Sequence, residues 1–130
     1  MLWASCVTPG FFEIEHSSYV VPENAGQVQI SVIRLGGKDG QIRVKYKTVA
    51  RSAAAQTDFL PVEGELVFEE GEDRKFIVVQ ILNDNVREPA EMFEVQLFDA
   101  KAGRGVINFR GTGSKPMTVV TIQDDDSEKI

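Results

Sequence analysis

Carboxylates are unevenly placed in this sequence, and they gather where strands would end. Asn83-Asp84-Asn85, Glu88 and Glu91 follow one strongly apolar run, and Asp124, Asp125 and Asp126 follow another. Oxygen donors without histidine or cysteine partners suit a hard cation. Calcium takes about six to eight oxygens from carboxylates, carbonyls and water in a tolerant geometry. Like charges packed together are costly unless a counter-ion neutralises them. A terminal acidic run by itself is more often a solvated surface feature, and the spacing is not that of an EF-hand. The acidic residues therefore carry chemistry only if the fold brings both clusters to one place.

Other chemistry finds little material. His16 is the only histidine and Cys6 the only cysteine, with no partner suggested nearby. Acyl transfer thus lacks its nucleophile and base, and zinc lacks its nitrogen and sulfur ligands. His16 is expected to be an exposed turn residue. Paired carboxylates could in principle hydrolyse glycosides, but no aromatic platform is evident and Trp3 precedes the patterned region. No enzyme is expected. A net charge of −6 offers no basic footprint for nucleic acid. No apolar run reaches the roughly 18 residues that cross a bilayer, and Met1 to Val7 lacks the basic start and length of a signal peptide. Any signal or anchor is expected outside this segment. One cysteine excludes an internal disulfide, and it lies before the patterned region, so it does not settle the redox compartment.

The elements that must position these carboxylates read as strands. At 130 residues, with 42% hydrophobic and 26% charged content, the chain fits one globular domain with its own core. Val28, Ile30 and Val32 alternate with polar neighbours at the period of a half-buried strand, and Arg34 to Gly40 reads as the following turn. Ile42, Val44 and Tyr46 alternate with Arg43, Lys45 and Lys47, a basic stripe best read as a solvated face. Leu66-Val67-Phe68 precedes a polar turn at Glu69 to Asp73. The run from Lys75 to Leu82 is rich in β-branched residues and is expected to be a central strand. Phe93, Val95 and Leu97 alternate again, and Met117 to Ile122 follows a glycine-rich stretch from Gly103 to Gly113. Phe11 to Ile14 and Tyr19 to Val21 are two shorter candidates, the second ended by Pro22. About seven short strands without helical periodicity predict an all-β fold, an antiparallel immunoglobulin-like β-sandwich with Greek-key connections. Its loops cluster at two ends, so distant acidic strand exits can meet there. The domain is expected over residues 11–126, with residues 1–10 a leader or linker and 127–130 a C-terminal linker.

Several segments together carry a family resemblance. They are Val21-Pro22-Glu23-Asn24-Ala25-Gly26, Thr57-Asp58-Phe59, Gly64-Glu65-Leu66-Val67-Phe68 with Gly71-Glu72, and Ile122-Gln123-Asp124-Asp125-Asp126. Ile81 to Asn85 and Glu88 to Leu97 add an acidic stretch and the strand after it. In this order, over nearly the whole chain, they resemble a Calx-beta domain, as found in sodium/calcium exchangers, integrin beta-4, Fras/Frem matrix proteins and a giant adhesion G-protein-coupled receptor. The resemblance implies calcium (Ca2+) at one end of the sandwich. The matching positions are Glu23, Asp58, Asp84, Glu88, Glu91, Asp124, Asp125 and Asp126. Strong calcium binders of the family carry three consecutive aspartates where this chain has Asn83-Asp84-Asn85, which implies weaker binding or fewer ions.

Two readings stand at this point. In the first, the domain binds calcium, which stiffens it and its junction with a neighbouring domain of the same chain. In the second, it is a calcium-independent spacer or a module that contacts another protein in an adhesion or matrix protein. Glu23 and Asp58 can simply satisfy loop backbone donors, and Glu88 and Glu91 can be solvated charges beside Pro89. The expected setting is the extracellular part of a membrane or matrix protein, or alternatively the cytoplasmic loop of a membrane transporter.

Overall fold

The structure, a computed structural model, describes residues 7–83 and 89–124. Its strands are β1 (Phe11–Ile14), β2 (Ser18–Pro22), β3 (Gln27–Leu35), β4 (Ile42–Ala50), β5 (Glu63–Phe68), β6 (Arg74–Gln80), β7 (Glu91–Ala102) and β8 (Met117–Gln123). A 3-10 turn, Glu23–Ala25, links β2 to β3. The strands form two sheets, ordered β1-β3-β6 and β2-β8-β7-β4-β5. The expected β-sandwich is present, with eight strands among the described residues rather than about seven. Among the described residues the strands pair antiparallel except β2 with β8, which run parallel with Val21 opposite Ile122. β2 follows β1 after a short bend and crosses to the other sheet, so it arrives at β8 pointing the same way.

Period-two patterning decides what is buried. Val28, Ile30 and Val32 of β3, Ile42 and Val44 of β4, Phe93 and Val95 of β7, and Val120 and Ile122 of β8 turn inward into one core. Phe12 lies edge-on to Phe68 and Phe109, with ring centroids 5.2 and 5.8 Å away. Phe59 stacks on Phe93 at 4.1 Å. Phe12, Phe59, Phe68 and Phe93 are fully withdrawn from water, and each contributes roughly 2–3 kcal/mol of burial.

Two sequence expectations need correction. The β-branched run after Lys75 is not central: β6 is the last strand of the smaller sheet. Its inward Ile77 and Val79 are buried, whereas Phe76 and Val78 on the outer face are 49% and 38% exposed. β-branched content marks fit to a pleated surface, and an edge strand with one buried face satisfies it as well as a central one. The longest strand is β7, interior to the larger sheet. Arg34 is not a turn residue either. β3 runs on to Leu35, and Arg34 continues the inward parity of Val28, Ile30 and Val32.

That parity drives a guanidinium into the end of the core. Arg34 is 3% exposed. Its Nε donates to Pro9 O at 2.9 Å, Nη1 to Glu69 O and Glu72 O at 3.1 and 3.4 Å, and Nη2 to Asp39 O and Gly40 O at 2.8 and 2.7 Å. Burial pushes its pKa down, opposed by the charges of Asp39, Glu70 and Glu72. One side chain thereby ties three chain segments together at this end. Gly10 allows the closest of them to fit: its φ is +85°, and a Cβ there would lie 2.2 Å from Leu35 O.

Outside the core, Arg74 joins β6 to the bend after β1, donating to Glu15 and, at 2.7 Å, to Ser31 Oγ. Hydrogen bonding to Arg74 holds the Glu15 carboxyl at about 2. His16 is exposed, as expected, with its ring edge-on to Tyr19. Among the described residues no helix is long and apolar enough to cross a membrane.

Candidate functional site

β2, β6 and β8 end, and β3 and β7 begin, at the end of the sandwich opposite Arg34. The parallel pairing of β2 with β8 aligns Pro22 with Gln123, so the next residues, Glu23 and Asp124, leave the sheet side by side. The antiparallel pairing of β7 with β8 sets Glu91 opposite Ile122. The loop between β4 and β5 supplies Asp58. These four carboxylates, with Leu82, Pro89 and Ile122, line one concavity of about 230 Å³, a volume that includes its open mouth.

Their environments differ. Glu23, at the start of the 3-10 turn, is 4% exposed, and Asp58 is 7% exposed. Glu91 and Asp124 are half-buried. Asp58 is held from several sides. Its Oδ2 accepts the Ala54 N–H at 2.7 Å. Its own N–H donates to Ala54 O at 2.8 Å, and its carbonyl accepts the Leu82 N–H at 3.0 Å. The loop-donor role considered for Asp58 is thus realised by one oxygen, within the cavity wall. Gln56, at φ 72°, completes the reversal by donating to Phe59 O at 2.8 Å.

Of the eight residues expected at the site, Glu23, Asp58, Glu91 and Asp124 come together around this concavity. Asp84, Glu88, Asp125 and Asp126 lie outside the described residues. The donor set is all oxygen and all acidic, the chemistry a hard divalent cation requires. Among the described residues, no three acidic, histidine or cysteine side chains are placed as ligands of one ion. The described part of the cavity therefore fits calcium in chemistry and leaves its coordination incomplete. The apolar wall of Leu82 and Ile122 was legible only as strand ends, because period-two patterning does not tell a core end from a cavity wall.

Residues 8–126 match the Calx-beta domain family. The chain belongs to the Calx-beta family. This Calx-beta domain is 34% identical over 121 residues to the sodium/calcium exchanger Calx of Drosophila melanogaster, which covers 92% of the chain and 12% of the exchanger. It is 36% identical over 127 residues to human sodium/calcium exchanger 2, covering 89% of the chain and 14% of the exchanger. It is 28% identical over 116 residues to adhesion G-protein coupled receptor V1 of Danio rerio, covering 89% of the chain and 2% of the receptor. The chain thus spans a small part of these membrane proteins. Its fold matches the crystal structure of the apo-form Calx CBD1 domain with a TM-score of 0.81 at 29% identity, covering 89% of this chain and 97% of that one. The calcium binding domain CBD12 of CALX1.1 matches with a TM-score of 0.78 at 31% identity, covering 88% of this chain and 44% of that one. In that relative a domain of this kind is only part of a longer solved chain.

Proposed function

We propose that this Calx-beta domain is a calcium-binding module of a larger membrane or adhesion protein, with the ion held at the concavity lined by Glu23, Asp58, Glu91 and Asp124. The observation that carries the reading is convergence: four carboxylates from four separate segments line one concavity at one end of the sandwich. Asp84, Glu88, Asp125 and Asp126 complete the proposed ligand set. Bound calcium supplies the positive charge that lets such a cluster pack, with about six to eight oxygen contacts. Glu23 and Asp58, already withdrawn from water, form the floor of the site, while Glu91 and Asp124 form its rim. Because Asp124 immediately follows β8, ordering at the rim passes directly into whatever follows it, so calcium level sets the stiffness of the junction with a neighbouring domain. Membership in the family and likeness to a domain described as calcium binding support the reading.

Asp58→Asn and Asp124→Asn test it. Asparagine at 58 keeps a carbonyl oxygen for the Ala54 N–H, so the loop survives while a charge is lost. Calorimetric calcium titration should show each variant at least about tenfold weaker than the parent, since affinity follows ligand charge count. Unchanged affinity in both variants would move the site elsewhere. The second reading, a spacer or protein-contact module, draws on Asn83 and Asn85 and on the incomplete coordination among the described residues. Affinity also separates the settings: about millimolar for a structural ion outside cells, about micromolar or tighter for cytosolic sensing.

A further inference from the structure

We infer that the ion pair between Arg51 and Glu94 is a latch that positions the Asp58 loop against β7 and so sets the spacing of the acidic concavity. The inference takes its ligand from the calcium reading, whereas the latch itself rests on the geometry of the loop. Glu94 belongs to the outward parity of β7, with Met92 and Gln96, yet it is only 4% exposed. A carboxylate taken this far from water must be paired. Its Oε2 accepts from Arg51 through Nε and Nη2, and its Oε1 accepts from Gln96 Nε2 at 2.9 Å.

Arg51 is the first residue past β4, whose register with β7 ends at Ala50 opposite Phe93. From there the chain continues along β7 without being part of the sheet. The Met92 N–H donates to Ser52 Oγ at 2.8 Å, and the Ala53 N–H donates to Met92 O at 2.8 Å. Ala53 is fully buried. The next residue, Ala54, holds Asp58 Oδ2. Glu91 immediately precedes Met92. The latch, the two hydrogen bonds to Met92 and the two cavity carboxylates are thus one continuous connection. Releasing Arg51 frees its near end, and Asp58 loses its fixed distance from Glu91.

A group hydrogen-bonded to a metal ligand typically changes metal affinity by about ten- to a hundredfold, and the Ala54 N–H that the latch positions is such a group for Asp58. Arg51→Ala should weaken calcium binding by about tenfold in titration calorimetry and speed amide exchange at Ala53 and Ala54, with β3 and β6 unaffected. Arg51→Lys, which keeps a charge on Glu94, should recover most of the affinity. The double variant Arg51→Met, Glu94→Leu removes the buried charge along with its partner, so it should regain thermal stability without regaining affinity. Recovery of both in the double variant would overturn the inference, because the pair would then matter only to stability. If the parent chain takes up no calcium, the calcium reading fails and exchange decides the latch. Faster exchange at Ala54 in Arg51→Ala but not in Asp124→Asn upholds it, and unchanged exchange refutes it.

Discussion

Arg34→Met should destabilise this domain by about 3–5 kcal/mol, with the same loss in calcium and in chelator. The side chain is buried and donates to five backbone carbonyls, those of Pro9, Asp39, Gly40, Glu69 and Glu72. Hydrogen bonds to a charged group each contribute about 1.5–3 kcal/mol, and part of that is recovered when loop carbonyls turn to water. Methionine fills similar space with none of the donors. Lysine keeps the charge but not the planar fork, so Arg34→Lys should lie between the parent and Arg34→Met. Calcium should not alter the result, because Arg34 lies roughly 25 Å along β3 from the acidic concavity. Chemical denaturation in calcium and in chelator measures both points. A loss under about 1 kcal/mol would show that the carbonyls find other partners, and a loss seen only in chelator would couple the two ends.

Phe59→Ala has a comparable effect for a different reason, and it reaches the site. Phe59 is 1% exposed and stacks on Phe93 at a centroid distance of 4.1 Å. Removing a buried ring costs about 3–5 kcal/mol, because the lost transfer energy is joined by the cavity left behind. Phe59 also adjoins Asp58 and bridges to Ile81 near the end of β6. The same substitution should therefore loosen the Asp58 loop and weaken calcium binding, whereas Phe12→Ala, among the rings at the Arg34 end, should cost similar stability and leave affinity unchanged. Denaturation and calcium titration of the two variants side by side distinguish packing from positioning. Equal affinity in both would separate the core from the site.

The sequence made the sandwich legible wherever one face of a strand is buried and the other wet. Val28 to Val32 and Ile42 to Tyr46 show that alternation cleanly, and both are strands. Position within a sheet was less legible: β6 looked central because Phe76 and Val78 are apolar, although both face outward at an edge. Parallel pairing of β2 with β8 was not visible at all, since direction depends on a crossover rather than on patterning. The acidic residues at strand exits were legible as a cluster, and Glu23, Asp58, Glu91 and Asp124 do line one concavity. Glu23 and Asp58 became candidates only through family resemblance, because one carboxylate in a turn carries no signal of its own. Glu94 falls on the outward parity of its strand, which gives no sign of burial, and its partner Arg51 stands 43 positions away. Arg34 was hidden likewise, placed by parity in the core yet preceding a stretch that reads as a turn.

Calcium titration of the parent domain by calorimetry, with melting curves in calcium and in chelator, decides whether the concavity holds an ion. Saturable binding is expected and, at calcium about a hundredfold above the dissociation constant, a stabilisation of about 2.7 kcal/mol, or roughly 10 °C in melting temperature. No heat and no shift up to millimolar calcium would contradict it and leave a spacer or protein-contact domain.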